Sequence, residues 1–299
     1  MTSLSTLERR AMSRISTASG RLLIVAADQR NSMKAVMVDP VDPTQTQESI
    51  TQTQLADTKA DIVTHLANHA PAILLDPQVA LPRVVDDGTL APNTGLVVGM
   101  DASGFETRDG LRYTRYVDGI SPRAVRDLGG DAAKMLFYLR PDQQDENSEA
   151  ATQMRDLVDA CAAEGVLLIV EILTYRLDGE DQATYQERFP QLIVDAARIG
   201  ASCGSRILKM PYPGSASASS ELTAAVGDVP WAVLSAGVDH STFTGQVATA
   251  IASGASGAMA GRSLWKDSLS TSPAARKNLL TTKALPRLRE LQQILNSAI

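Results

Sequence analysis

Val166-Leu167-Leu168-Ile169-Val170, followed at once by Glu171, is the most apolar strand-like run in the chain, and it ends in a carboxylate. Five apolar residues without polar alternation fit a strand buried on both faces, as in a parallel sheet. The neighbouring runs repeat the design. Arg206-Ile207-Leu208-Lys209-Met210 stops at Pro211, and Ala133 to Leu139 stops at Arg140-Pro141. Toward the N-terminus, Leu22 to Ala27 ends in Asp28-Gln29-Arg30, Ala72 to Leu75 in Asp76-Pro77, and Gly95 to Gly99 in Met100-Asp101. Toward the C-terminus, Trp231 to Leu234 ends in Ser235-Ala236-Gly237, and Gly257 to Ala260 in Gly261-Arg262. Helical stretches over 58–68, 148–164, 185–199 and 244–253 lie between these eight strands. Eight strands alternating with helices over about 250 residues predict an α/β protein of the (β/α)8 TIM-barrel class. No Gly-x-Gly-x-x-Gly follows the first strand, which counts against a doubly wound dinucleotide sheet.

The remaining sequence fits one domain over 1–299, with an N-terminal helix over 1–20 and a C-terminal helix over about 274–297. Three segments interrupt the pattern. Residues 39–54 read as a long loop and 101–118 as a charged excursion between strands. The Ser/Ala/Gly stretch 214–220 reads either as a flexible lid over the barrel mouth or as a plain connector.

Composition narrows the partners. Net charge is −6, from 34 acidic and 28 basic residues, and aromatics make up 4%. Neither a basic footprint nor a stacking platform for nucleic acid is expected. Cys161 and Cys203 are too few for a disulfide framework or a cysteine-rich zinc site. The first twenty residues lack an apolar leader core, and no apolar run reaches about 18 residues. A soluble, cytoplasmic protein with no membrane partner is the expectation.

Lys209 stands out because a lysine late in an apolar strand is costly unless its charge is paired or removed. A lysine kept partly neutral by desolvation or nearby positive charge can attack a carbonyl and form a Schiff base. The bland alternative is a strand-end lysine reaching solvent. Lys134, Glu171 and Asp28 occupy comparable positions in three other strands. If all four point into one barrel mouth, two cations and two anions meet there, and a carboxylate beside Lys209 can shuttle protons. A structural ion-pair cluster without chemistry is the alternative.

The last two strand ends suggest an anion cradle. Ser235 and Gly237 follow the seventh strand, and Gly254-Ala255-Ser256-Gly257 leads through the eighth to Gly261 and Arg262. Loops at these places commonly bind phosphate in barrel enzymes, and Arg262 adds a fork of charged donors. Gln29, Arg30 and Ser32, after the first strand, are candidates for a second anion or for sugar hydroxyls, or else form a surface turn. His65 and His69 have ligand-like spacing but fall on a helix expected outside the barrel, and His240 has no visible partner, so no metal is expected.

These pieces together resemble the class I aldolases of the tagatose-1,6-bisphosphate and sulfofructose-1-phosphate group. The likeness is carried by Ala27-Asp28-Gln29-Arg30, Lys134-Met135-Leu136, Glu171-Ile172-Leu173-Thr174-Tyr175 and Ile207-Leu208-Lys209. It continues in Pro230-Trp231 through Leu234-Ser235-Ala236-Gly237-Val238, and in Gly254 to Gly257 through Gly261-Arg262-Ser263-Leu264-Trp265. The resemblance runs collinearly over residues 20–267. It implies a homo-oligomeric barrel, dimer or tetramer, that needs no cofactor or metal. Lys209 would be the Schiff-base lysine, with Glu171, Lys134 and Asp28 in acid/base and charge-supporting roles. Ser235, Gly237, Gly261 and Arg262 would hold the phosphate of the dihydroxyacetone-phosphate half, and Gln29, Arg30 and Ser32 the far end of a small ketose phosphate. One departure is Met210-Pro211-Tyr212-Pro213, where the group has valine and then glutamate after the lysine. The sulfosugar branch is the nearer match, because the far end offers only Arg30 as an obvious cation. Sulfofructose 1-phosphate is therefore the expected substrate in sulfoquinovose catabolism, with tagatose 1,6-bisphosphate as the alternative. A barrel that binds a sugar phosphate without catalysis is a further alternative.

Overall fold

The computed structural model describes residues 4–39 and 44–297. Eight parallel strands close into a barrel: β1 (Leu22–Ala26), β2 (Ala72–Leu75), β3 (Gly95–Gly99), then β6 (Ala132–Tyr138), β7 (Leu167–Leu173), β8 (Ile207–Pro211), β9 (Trp231–Leu234) and β10 (Gly257–Ala260). β10 pairs with β1, so the barrel leaves no edge. The eight apolar runs are the eight barrel strands, as the sequence predicts. The charged excursion is more ordered than expected. It is an antiparallel hairpin, β4 (Asp101–Arg108) and β5 (Leu111–Tyr116), inserted after β3.

Alternation along the strands sorts their side chains. Leu22, Ile24, Ala26, Leu74, Val97, Ala132, Ile169, Ile207 and Met259 fill the barrel interior, closed below by Ala11 and Ile15 at the end of α1 (Thr6–Arg14). Leu23, Val25, Val170, Leu208 and Val233 face outward to the helical layer. Continuing the inward set by two residues from Ala132, Ile169 and Ile207 brings Lys134, Glu171 and Lys209 to the interior at the C-terminal end.

The outer layer comprises α2 (Asn31–Met37), α3 (Gln52–His65), α4 (Arg83–Asp86), α5 (Pro122–Asp127), α6 (Glu149–Glu164), α7 (Gln182–Ser202), α8 (Ala216–Val226), α9 (His240–Ala252), α10 (Arg262–Trp265), α11 (Pro273–Leu279) and α12 (Leu285–Ser297). The N-terminal helix is shorter than the expected 1–20. A cap at Ser5 starts α1, and Ile15 ends it. A π-helical turn at Leu280–Ala284 links α11 to α12 within the expected C-terminal helix. The long loop ends at Thr51, whose hydroxyl and Gln54 form a capping box that starts α3 earlier than apolar periodicity suggests. Residues 40–43 of that loop lie outside the described residues.

The Ser/Ala/Gly stretch is not a lid. Ser215 caps the helix by accepting from the Ala218 amide, so residues 216–220 are the first turns of α8. Glycine there is confined to Gly214, and small residues with a serine cap favour a helix start as readily as a flexible loop. Among the described residues no helix is long and apolar enough to cross a membrane.

Candidate active site

The strand register brings the charged residues to neighbouring inward positions near the C-terminal end of the barrel. Glu171 lies opposite Lys209, Leu136 opposite Glu171, and Lys134 opposite Gly99. Gly99 adjoins Asp28, whose Cβ would lie at an ordinary contact distance of 3.6 Å from a Cβ added there. At the centre is the Lys134 ammonium. It donates to Asp28 Oδ2 at 3.1 Å and Asp101 Oδ1 at 2.9 Å, and pairs with Glu171 Oε2 at 2.7 Å. Three carboxylates thus surround one ammonium group, two accepting hydrogen bonds from it and the third held as an ion pair. Lys209 Nζ donates to the same Glu171 Oε2 at 2.9 Å. Lys134, Glu171 and Lys209 are all buried.

Burial opposes every charge in this cluster, and pairing decides the outcome. It would raise Glu171, but the ammonium groups of Lys134 and Lys209 outweigh it and hold the carboxyl below the ordinary glutamate value. Asp28 is likewise carried down to about 2, against burial, by Lys134 and Lys209. Burial would lower Lys134, yet Asp101, Glu171 and Asp28 hold it well above an ordinary lysine. Asp101 goes the other way. Burial, with Asp28 and Glu171 nearby, raises it in spite of Lys134.

Two adjoining cavities open on this cluster. One, of about 330 Å³, is lined by Lys209, Glu171, Gln29, Ser235, Ala236, Gly237, Gly261 and Arg262. The other, of about 430 Å³, is lined by Asp28, Arg30, Ser32, Asp101, Ser103, Lys134 and Tyr138, and shares Gln29, Glu171, Lys209 and Arg262 with the first. All the expected site residues therefore line one or both cavities, with Lys209 and Glu171 at their junction.

The loops expected to hold an anion are built by tight turns. Ala236 and Gly237 both have positive φ, 47° and 80°. A Cβ on Gly237 would come within 3.1 Å of Arg262 Cζ, so glycine allows the guanidinium to lie against this loop. Lys266 donates to the Gly237 carbonyl at 2.8 Å and fixes the turn, while buried Trp265 donates to Ala26 O at 3.0 Å and ties α10 to β1. Gly261 N–H is already engaged, donating to Ser235 Oγ at 3.3 Å. The stretch 254–257 is not part of these loops. It leads into β10, whose first residue is Gly257, at the opposite end of the barrel from Gly261 and Arg262. Arg30 lines its cavity but is committed to protein partners, donating to Gln78 Oε1 at 2.9 Å, Asp101 O at 3.0 Å and Ser103 Oγ at 3.3 Å.

Sequence reasoning missed Asp101, which also accepts the Leu136 amide at 3.2 Å and is the first residue of the hairpin. Its signal was the one shared by Asp28 and Glu171, a carboxylate directly after an apolar run. It also missed Lys59 on α3, fully buried and paired with Asp76 at 2.5 Å. Lys59 sits among Leu55, Ala56, Ile62 and Val63 on the apolar stripe of its helix, a spacing that does mark a buried lysine. His65 ends α3 and His69 follows in a short turn, while His240 pairs with Glu290 at 2.8 Å. Among the described residues no three histidine, cysteine or carboxylate side chains gather as a metal-binding group.

The sequence profile of the DeoC/LacD family aldolases matches residues 22–267. Tagatose 1,6-diphosphate aldolase 2 of Streptococcus agalactiae is 26% identical, over 96% of this chain and 95% of its own length. Tagatose 1,6-diphosphate aldolase of Lactococcus lactis is 25% identical over the same shares. Among solved structures, fructose-bisphosphate aldolase of Slackia heliotrinireducens superposes with a TM-score of 0.67 at 18% identity, covering 100% of this chain and 94% of that one. A Schiff-base-forming fructose-1,6-bisphosphate aldolase superposes with a TM-score of 0.63 at 17% identity, covering 97% and 100%. At such identities the structural likeness speaks for the fold.

Proposed function

From the premise that this chain belongs to the DeoC/LacD family of aldolases, and so is a lyase, we propose that it cleaves a ketose 1-phosphate through a Schiff base on Lys209. The observation that carries this reading is the contact of Lys209 Nζ with Glu171 Oε2 at 2.9 Å, at the junction of the two cavities. A nucleophile and a proton carrier in direct contact is the arrangement amine catalysis needs.

The Lys209 amine adds to the C2 ketone, and loss of water leaves an iminium ion. Glu171 takes the proton of the C4 hydroxyl. Both ammonium bonds fall on Glu171 Oε2, and Oε1 accepts from no described side chain, so Oε1 is the atom in position to do this. The C4 oxygen then forms the aldehyde, and the C3–C4 electron pair passes into the iminium to leave an enamine. Protonation at C3 and hydrolysis of the imine release dihydroxyacetone phosphate and restore Lys209. Lys134, held by Asp28 and Asp101, keeps Glu171 ionised between turnovers. The substrate 1-phosphate lies against Ser235, Gly237, Gly261 and Arg262, where binding remote from the breaking bond orients C2 over Lys209. Gln29, Arg30 and Ser32 face the other half.

Tagatose 1,6-bisphosphate is the substrate the named relatives favour, and glyceraldehyde 3-phosphate is then the second product. Sulfofructose 1-phosphate, giving 3-sulfolactaldehyde, is the second reading. What favours it is Arg30. Apart from Lys134 and Lys209 of the charged cluster and the shared Arg262, it is the cation of the far cavity, and three protein acceptors already occupy it. A sulfonate monoanion asks less of such a site than a phosphate dianion.

Incubation with dihydroxyacetone phosphate and borohydride, followed by peptide mapping, should leave a covalent adduct on Lys209. Lys209→Ala should fold, take up no adduct and lose turnover by more than about a thousandfold, because the covalent route is removed. Unchanged turnover would sink the assignment. Relative kcat/KM for the bisphosphate and the sulfosugar phosphate then decides between the substrates.

A further inference from the structure

Lys59 lies outside the barrel, on α3, yet its ammonium reaches the end of β1. It donates to Ala27 O at 2.6 Å and to Gln29 O at 2.8 Å, and pairs with Asp76 Oδ2 at 2.5 Å. Its side chain is fully buried and Asp76 nearly so. Asp76 is itself fixed, since its Oδ1 accepts the backbone amides of Gln78 at 3.1 Å and Val79 at 2.8 Å. The carbonyls on either side of Asp28 thus converge on one cation outside the barrel, while Asp28 itself reaches Lys134 inside it. On the other flank, Trp265 holds the carbonyl of Ala26.

We infer that Lys59 is a positioning residue for the reaction: by gripping the backbone at 27 and 29 it aims the Asp28 carboxylate at Lys134, and through Lys134 sets Glu171 against Lys209. Stability alone gives little reason for such a group. A buried ion pair replaced by apolar residues of similar size is commonly neutral or stabilising. What an apolar replacement cannot do is draw two carbonyls to a fixed point, and these two carbonyls bracket a site carboxylate. The Lys59 charge also acts on Asp28 in the same sense as Lys134 and Lys209, favouring the carboxylate. The inference rests on the Schiff-base reading, because it assigns Lys59 a part in the same proton-handling cluster.

The test is a double-mutant cycle in the full chain. Lys59→Met is combined with Asp76→Asn, so that no carboxylate is left buried and unpaired, and the pair is made on wild-type and Asp28→Asn backgrounds. Near-UV circular dichroism and thermal melting establish which variants are folded. On the wild-type background, kcat should fall about 10- to 100-fold, the scale of a small misplacement of reacting groups, with KM changed less than about twofold. On the Asp28→Asn background the same pair should lower kcat less than about twofold, since the residue it acts through is already gone. Unchanged kcat in the folded K59M/D76N protein, or equal losses on both backgrounds, overturns the inference. If K59M/D76N does not fold, Lys59→Arg takes its place, keeping the buried charge while shifting its donors, and the same two outcomes decide. Failure of the aldolase reading is separately visible, because wild-type protein would then neither cleave a ketose phosphate nor retain a borohydride adduct, and both conclusions would fall.

Discussion

As the proposed base, Glu171 works under two constraints at once. It must stay ionised while nine-tenths buried, and it must leave an oxygen for the substrate. Lys134 and Lys209 meet the first, and their convergence on Oε2 meets the second. Glu171→Gln keeps the shape and loses the base, so kcat should fall by about 10²- to 10⁴-fold in steady-state assays. The borohydride adduct of dihydroxyacetone phosphate on Lys209 should still form. Asp28 leaves a mark on stability instead. Its folded value of about 2 lies below the ordinary 3.8, so its contribution is fully present above about pH 4 and disappears as pH falls through 2. Asp101, shifted upward, has the opposite sign. The gap in melting stability between wild type and Asp28→Asn should therefore be widest above pH 4, at about 2 kcal/mol, and close toward pH 2. Thermal melts across pH 2 to 5 measure it, and a gap that widens on acidification would contradict the assignment.

At the scale of elements, the site depends on how the segments after β6 and β7 are secured. Arg140, just past β6 and fully buried, donates to Tyr175 O at 2.9 Å, and its guanidinium pairs with Glu180 and Asp142. It thereby ties the turn before α7 to the wall that carries Glu171. Arg140→Met leaves Tyr175 O without its donor and Glu180 and Asp142 with Arg188 as partner, and should lower stability by about 1–3 kcal/mol in denaturant titration. The hairpin β4–β5 is anchored by rings. Phe105 meets Tyr138 edge-on at 5.2 Å, and the Arg112 guanidinium lies 4.2 Å from the Phe105 ring and 4.9 Å from that of Tyr175. Its first residue, Asp101, reaches Lys134, so an element outside the barrel supplies one of the three carboxylates. The hairpin was unreadable as strands because its faces lack an apolar alternation. Phe105 on Tyr138, Arg108 on Glu149 and Arg112 on Tyr175 hold the hairpin from outside, rather than a core of its own.

Over the whole molecule, the barrel exists only if its last strand meets its first. Leu22 stands opposite Gly257 at that seam, where a Cβ on Gly257 would sit 2.0 Å from the Leu22 carbonyl oxygen. Gly257→Ala should force the seam apart and cost more than about 4 kcal/mol, among the largest effects a single methyl can have. Equilibrium unfolding, or recovery of soluble protein, reports it. The glycine that the sequence suggested for an anion loop is thus a closure residue at the other end of the strand.

What the sequence determined by itself was the barrel and the candidates at its mouth. Strands buried on both faces must be written as unbroken apolar runs, so the eight runs, and the charged residues that interrupt or end them, are visible one strand at a time. Asp28, Lys134, Glu171 and Lys209 stand out because a charge in such a run is costly, and Ser235, Gly237, Gly261 and Arg262 because they follow the last two strands. Only the tertiary structure decided which charges touch. The three-carboxylate grip on Lys134 joins residues 28, 101 and 171, and the Lys59 contact joins a helix face to a strand end 32 and 30 residues away in sequence. Local patterning records whether a side chain is inside or outside. Distance across a closed barrel is set by register and closure, which no single segment contains.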